Sequence, residues 1–328
     1  MELNSVLVTG GGGFVGGNFV RLALRLRPRW RMTIFDSMGD RPRPVLEGLD
    51  EAFPGRLRVV QGRVTDPMAL DGLFASGPYD AVVHFAARNP SGQGANDPVG
   101  FAEVNVMGTA MLLDGSRRSW GGREGRFLHL SSYEVYGSSA GGIFTETSPL
   151  NPSTPYAASK AAADQLTLAY HRTFGTGCLV TRTTNIYGPY QSEDKLVPAI
   201  VRKTRDRQPL PVYGDGSNTR DWIHVDDHNR GVIQALERGR PGEVYHLGSR
   251  CERSNLALVK AAARATARAL GKDATEAEGL VTFVGDRAGH DARRALDPTK
   301  AERELEFRPE VEFEQGLEDT VRHFLAAR

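Results

Sequence analysis

Two cysteines in 328 residues, Cys178 and Cys251, are too few for a disulfide framework, and their spacing fits no metal-ligand pattern. No metal is therefore expected. Long hydrophobic runs are missing as well: nothing approaches the ~20 apolar residues that span a bilayer. The N-terminus enters a strand-like run with no basic segment and cleavage site before it, so the chain reads as cytoplasmic, without a membrane partner. Charge of one sign is also scarce. With 41 Lys and Arg against 40 Asp and Glu the formal net charge is +1, and no field advertises a nucleic-acid partner. The basic cluster from Arg21 to Arg31 reads as a solvated helix end and loop. Internal repeats and low-complexity tracts are absent too. What is there, 40% hydrophobic and 25% charged residues, is ordinary globular composition, and the length suits two domains or one large α/β domain with an added lobe.

The runs SVLVTG, RMTIFD, LRVVQG, AVVHFA, RFLHLSS and CLVTRTTN read as buried strands, separated by segments long enough for helices. Parallel strands need such crossovers, so the pattern is that of an α/β, doubly wound parallel sheet. Near residue 190 the rhythm changes to turn-rich loops, PYQSEDK, DRQPLP and YGDGSNTRD. EVYHLGS at 243–249 reads as a short strand returning to the main sheet, followed by an Ala-rich helix from Asn255 to Leu270 and a final helix. The expected division is 1–189 with 221–249 for the main domain, and 190–220 with 250–328 for a smaller interleaved lobe.

Gly10, Gly13 and Gly16 follow the first strand and open a helix. Glycines at that spacing allow a tight turn and let backbone amides approach a pyrophosphate at the helix N-terminus. Asp36 ends the second strand twenty positions after Gly16. A carboxylate there accepts from a ribose 2′-hydroxyl and repels a 2′-phosphate, which points to NAD rather than NADP. Asp66 either meets the adenine edge or caps the helix that starts at Pro67. Tyr156 and Lys160 in PYAASK lie one helical turn apart and face one pocket. Phenols titrate near ~10, but a neighbouring ammonium and a nicotinamide cation would stabilise a tyrosinate able to take a hydroxyl proton as hydride departs. Ser132, at the end of RFLHLSS, can bond to the same hydroxyl.

TGGGGFVG, HFAA, the asparagine of EVNVMGT, SSYEVYG and PYAASK together resemble the extended short-chain dehydrogenase/reductase family. NIYGPYQSEDKLVP, QPLPVYGDGSNTRDWIHVDDH and DRAGHDARRALD are similar to the substrate-lobe signatures of its dTDP-glucose 4,6-dehydratases. The likeness covers nearly the whole chain. It implies a Rossmann domain with a small nucleotide-sugar-binding lobe, NAD as cofactor, a nucleotide-diphosphate sugar as substrate, and a homodimer formed through two helices per subunit. By position, Phe14, Val15, Ala86 and Asn105 join the glycines, Asp36, Asp66, Tyr156 and Lys160 around the cofactor. Asn185, Lys195, Leu196, Pro211, Tyr213, Arg220, Asn255, Arg287 and His290 fall on the substrate side, where cations and amide donors offset a diphosphate.

The pattern breaks at the catalytic triplet. The dehydratases carry two adjacent acids after the serine or threonine; here Ser132 is followed by Tyr133 and Glu134. Glu134 keeps the place of the C5 base, while Tyr133 is either a weaker proton donor or a ring filling the pocket. Two arginines also enter: Arg88 after HFAA, in place of a glutamate, and Arg294 in the tail, in place of a tyrosine. If both face the sugar, a carboxylate-bearing hexose suits the pocket better than a neutral one. Three reactions remain open on this reading: 4,6-dehydration, placed first on overall likeness, then decarboxylation of a UDP-glucuronate-like substrate, then C4 epimerisation, which leaves Glu134 without a task. All begin with oxidation at C4 by Tyr156, Ser132 and Lys160. A silent NAD-binding protein fits poorly, because it would have no need of all three.

Overall fold

The computed structural model describes residues 1–39, 43–90, 97–139, 142–286 and 292–326. The apolar runs of the first half become β1 (Ser5–Thr9), β2 (Arg31–Asp36), β3 (Leu57–Gln61), β4 (Ala81–His84), β5 (Arg126–Ser132) and β6 (Gly177–Thr183). The second half adds β7 (Asn185–Tyr187), β8 (Leu210–Tyr213), β9 (Thr219–His224), β10 (Val244–Leu247), β11 (Glu252–Ser254), β12 (Val281–Val284) and β13 (Arg293–Arg294). A seven-stranded sheet runs in the order β10-β6-β5-β4-β1-β2-β3, with every pairing parallel. This is a Rossmann-like α/β fold. The order reverses between β1 and β4, and the crevice beyond the carboxyl ends of those strands is where such sheets bind ligands.

β1 and β4 have helices over both faces, which is why their side chains read as unbroken apolar runs: Val6, Leu7, Val8, Ala81, Val82 and Val83 are all fully buried. The expectation of a buried strand fails at β3. Arg58, Val59 and Gln61 are exposed because β3 is the outer edge of the sheet, with a partner on one side only.

The helix Val225–Arg238 lies against the helix Phe14–Leu26, where Asn229 donates to the Val15 carbonyl and Arg27 forks Glu237 at 2.5 and 2.7 Å. β10 then completes the main sheet beside β6, as EVYHLGS implied. β9 runs on to His224 in a different sheet, ordered β11-β9-β13 with β7 pairing β9. β8 and β12 form a separate parallel pair. A second core of Val197, Ile200, Leu210, Val212, Trp222 and Leu258 joins these strands to the helices Leu196–Arg205 and Asn255–Ala269. Among the described residues no helix is long and apolar enough to cross a membrane, and no three His, Cys, Asp or Glu side chains gather to hold a metal.

Candidate active site

The turn after β1 is built by close approach. Gly10 has φ +71°, and a Cβ on it would meet the Ala86 backbone nitrogen at 2.6 Å; one on Gly16 would meet the Gly10 carbonyl oxygen at 2.4 Å. The turn therefore packs against the segment after β4, and Gly13 leads directly into the helix whose first residues are Phe14 and Val15. Asp36 braces the turn from β2: one oxygen accepts from the Gly12 N–H at 2.9 Å and the other from Met38 N–H at 2.8 Å. Each carboxylate oxygen retains a lone pair for a ribose hydroxyl. Arg43 approaches Asp36 to 3.8 Å, a neighbour that glycine spacing could not reveal. These residues fit a dinucleotide. Asp66 caps the helix Pro67–Ala75, accepting from Met68 and Ala69 N–H groups. Asn105 is buried, and its amide bonds to the Arg88 backbone and to Ser159 Oγ, so it ties the segment after β4 to the helix that carries Tyr156.

Tyr156 and Lys160 sit in the first turns of the helix Pro155–Phe174, which Thr154 caps by accepting from the Ala157 N–H. Lys160 is buried, and its ammonium donates to the Leu130 carbonyl on β5 at 2.5 Å, pinning the helix to the strand that carries Ser132. Burial brings its pKa down to about 8, against the opposing pull of Asp164. Tyr156 is held above the ordinary phenol value, first by burial and then by the charges of Glu134 and Asp164. Without a cofactor the Lys160 ammonium is turned to Leu130 and His129.

Ser132 ends β5 and accepts from the Glu134 N–H, which starts the short turn Tyr133–Tyr136. The Tyr133 ring is buried, its hydroxyl donates to Asn185 Oδ1 at 2.8 Å, and burial pushes its pKa up. Arg294 closes over this corner, with a guanidinium nitrogen 3.4 Å from Glu134 and its centre 5.5 Å from the centroid of the Tyr133 ring. Arg88 does not join it: the side chain is 43% exposed and pairs with Asp97 at 2.7 Å.

The lobe residues are spread over the strands and helices that surround the second core. Asn185 opens β7, and Lys195 precedes the helix that Leu196 begins. Pro211 and Tyr213 lie on β8, Arg220 is buried on β9, and Asn255 starts its helix after the Ser254 cap. Arg287 and His290 fall outside the described residues.

The model of the family described as GDP-mannose 4,6 dehydratase matches residues 7–320. This chain belongs to that family. A dTDP-glucose 4,6-dehydratase of Streptomyces niveus is 42% identical over 96% of this chain and 91% of its own. The crystal structure of a dTDP-glucose 4,6-dehydratase from Streptomyces venezuelae with NAD and TYD bound has a TM-score of 0.88 at 42% identity, over 99% of this chain and 98% of that one. A UDP-glucuronic acid 4-epimerase of Bacillus cereus, in complex with UDP-glucuronic acid and NAD, has a TM-score of 0.84 at 26% identity, over 99% of this chain and all of that one.

In this family member a buried polar chain runs back from Lys160, and sequence reasoning missed it. Lys160 Nζ lies 3.4 Å from His129 Nε2, which lies 3.5 Å from Asp164; Asp164 accepts from Arg182 at 2.9 Å. Arg182 in turn donates to the Tyr136 hydroxyl, 2.6 Å from His246. One signal was available, since Asp164 extends the Tyr156 and Lys160 spacing by a further helical turn and shares their face. Arg182, on β6, carries no such mark.

Proposed function

We propose that this dehydratase-family member is an NAD-dependent enzyme that oxidises C4 of a nucleotide-diphosphate hexose and processes the 4-keto sugar in the same pocket. The carrying observation is the meeting of Tyr156 and Lys160, on one helix, with Ser132 and Glu134 at the end of β5. NAD, when bound, accepts and returns a hydride and adds positive charge beside the phenol. The glycine turn and Asp36 hold that cofactor, and Asp36 disfavours a 2′-phosphate.

Tyr156 takes the C4 hydroxyl proton, with Ser132 bonding to the same oxygen. Because burial and Glu134 raise the resting phenol, it ionises only when cationic charge is brought beside it. The resulting ketone acidifies C5, and Glu134 is the base on that side. On a dTDP-glucose-like substrate the outcome is 4,6-dehydration, as the relatives' names imply. Loss of the C6 hydroxyl is then the slow step, because a phenol committed to Asn185 replaces a carboxylic acid. Arg220, Asn185, Lys195 and Asn255 bind the nucleotide diphosphate, and we assign the four- and two-stranded sheets with their helices to the substrate lobe. A homodimer through two helices per subunit is part of the same reading, and sedimentation velocity checks it.

The test is incubation of the NAD-loaded protein with dTDP-glucose, followed by mass analysis. A product lacking one water, absent with Tyr156→Phe, is expected. Failure to form any reduced nicotinamide with either dTDP- or UDP-hexoses would sink the reading.

A further inference from the structure

Tyr156, Lys160 and Asp164 follow one another at four-residue spacing along one face of the helix Pro155–Phe174. At ~1.5 Å of rise per residue, Asp164 stands ~6 Å along the axis from Lys160 and ~12 Å from Tyr156. Lys160 is 4% exposed and Asp164 is fully buried. The ammonium donates to the Leu130 carbonyl, a neutral acceptor, so no carboxylate touches it there. Its nearest other neighbour is His129 Nε2 at 3.4 Å, and that same nitrogen lies 3.5 Å from Asp164 Oδ1. His129 stays neutral: burial holds its pKa well below the ordinary value, followed by the charges of Lys160, His84 and Arg182. The imidazole is therefore an uncharged spacer between a cation and an anion. On its far side Asp164 accepts from Arg182 Nε at 2.9 Å, so one carboxylate serves two buried cations.

Among the described residues, the titratable and charged groups around Lys160 are His84 on β4, His129 on β5, Arg182 on β6, and Tyr156 and Asp164 on its own helix. Glu134, in the turn after β5, acts on Tyr156. Burial drives the amine toward its neutral form, and Asp164 is the group that opposes this. Asp164 also raises Tyr156, which works against an ionised phenol. Distance decides between the two effects. Coulomb energy falls with separation, so an anion ~6 Å from the amine acts about twice as strongly there as on a phenol ~12 Å away. A buried carboxyl needs support to remain an anion. Burial raises Asp164 above its ordinary value, and Arg182 is the first group to pull it back.

We propose that Asp164 is a positioning residue for C4 oxidation: it holds Lys160 in its charged form one helical turn from Tyr156, and Arg182 keeps Asp164 itself ionised. The inference rests on C4 oxidation as read above. Asp164 touches neither substrate nor cofactor in this role and acts through Lys160 alone.

The chain has six lysines, so isotopically labelled lysine gives a spectrum in which one ammonium can be followed by NMR. The NAD-loaded protein is titrated, with Lys160→Arg identifying the signal. Reduced nicotinamide formed in the first turnover with dTDP- or UDP-glucose is followed over the same pH range. Asp164→Asn is expected to move the Lys160 midpoint down by about 1–2 pH units, and the alkaline limb of nicotinamide reduction down with it. One unit above the native midpoint, reduction should then fall about 10–100-fold; two units below it, the change should be less than about threefold. Asp164→Glu, which keeps the anion, should hold the midpoint within about half a unit of the native one. If Asp164→Asn fails to fold with Arg182 stranded, combining it with Arg182→Met removes both charges together and should still lower the midpoint. A lower melting temperature with the midpoint and the alkaline limb unmoved would make the pair merely structural and overturn the inference, while leaving the C4-oxidation reading intact. No reduced nicotinamide from the unmodified protein with either sugar nucleotide would bring down that reading, and with it the role of Asp164 in the step.

Discussion

Replacing Tyr133 with Phe removes one oxygen from a ring that is otherwise kept in place. The hydroxyl lost is the donor to Asn185 Oδ1 at 2.8 Å, in a corner where the ring is 2% exposed. Stranding a buried acceptor costs about 1–3 kcal/mol, so the melting temperature should fall by a few degrees for a chain of this size. Asn185 is also placed on the nucleotide side, and loss of its tether should raise the dissociation constant for dTDP by about 2–12-fold, the equivalent of one ordinary hydrogen bond. C4 oxidation should be almost untouched, because Tyr156, Lys160 and Ser132 remain. The assay is calorimetry with dTDP, alongside rapid-mixing absorbance of reduced nicotinamide in the first turnover and product formation at steady state. A proton donor would behave otherwise: removing one costs about 10²–10⁴-fold in turnover, with reduced nicotinamide accumulating. A loss of that size with dTDP affinity unchanged would refute the positioning role and return Tyr133 to the chemistry.

Tyr156→Phe should lower turnover by about 10²–10⁴-fold while NAD binding measured by calorimetry persists; near-full activity would remove it from the mechanism. Asp36→Ala should weaken NAD by about 10–100-fold through lost bonds to a charged acceptor, and should narrow the preference over NADP. Tighter binding of NADP than NAD by the unmodified protein would contradict the Asp36 assignment. Burial holds His84 and His246 down to about 3 and His228 to about 4. As pH falls below ~6.5 the unfolded chain therefore binds protons that the folded chain refuses, and stability present above ~6.5 drains away toward those values. At pH 5 the loss is about 2 kcal/mol per histidine, roughly 6 together, comparable with a whole domain's stability. Melting scans from pH 7.5 to 5 should show it, and a flat profile would mean that these rings admit protons while folded.

The glycine turn, Asp36 and the Tyr156–Lys160 pair were legible because each depends on local spacing: a turn between strand and helix, a strand end, one helical turn. The parallel sheet was legible for a similar reason, since buried strands write themselves as apolar runs. β3 misled because an edge strand with Val59 and Val60 has the same letters as a central one. Contacts between distant segments left no local trace. Nothing in SSYEVYG says that the Tyr133 hydroxyl reaches Asn185, fifty-two positions on, and nothing in HDARR separates Arg293, bound to Glu252, from Arg294, bound to Glu134. Asn105 was assigned by likeness and Arg88 as a departure from it, and their partners, the backbone after β4 and Asp97, could be seen only in three dimensions.

The buried chain from Lys160 to His246 bears on how this enzyme can change. Its members come from β5, β6, β10, the turn after β5 and one helix, so segments far apart in sequence are joined through shared donors and acceptors. Exchanging one alone leaves a neighbour stranded out of water, and such losses do not add. Lineages and engineered chimaeras alike must therefore inherit His129, Tyr136, Asp164, Arg182 and His246 as a block. The corner where Arg294 stands on a two-residue strand lies outside that chain and is left as the part that can be rewritten one residue at a time.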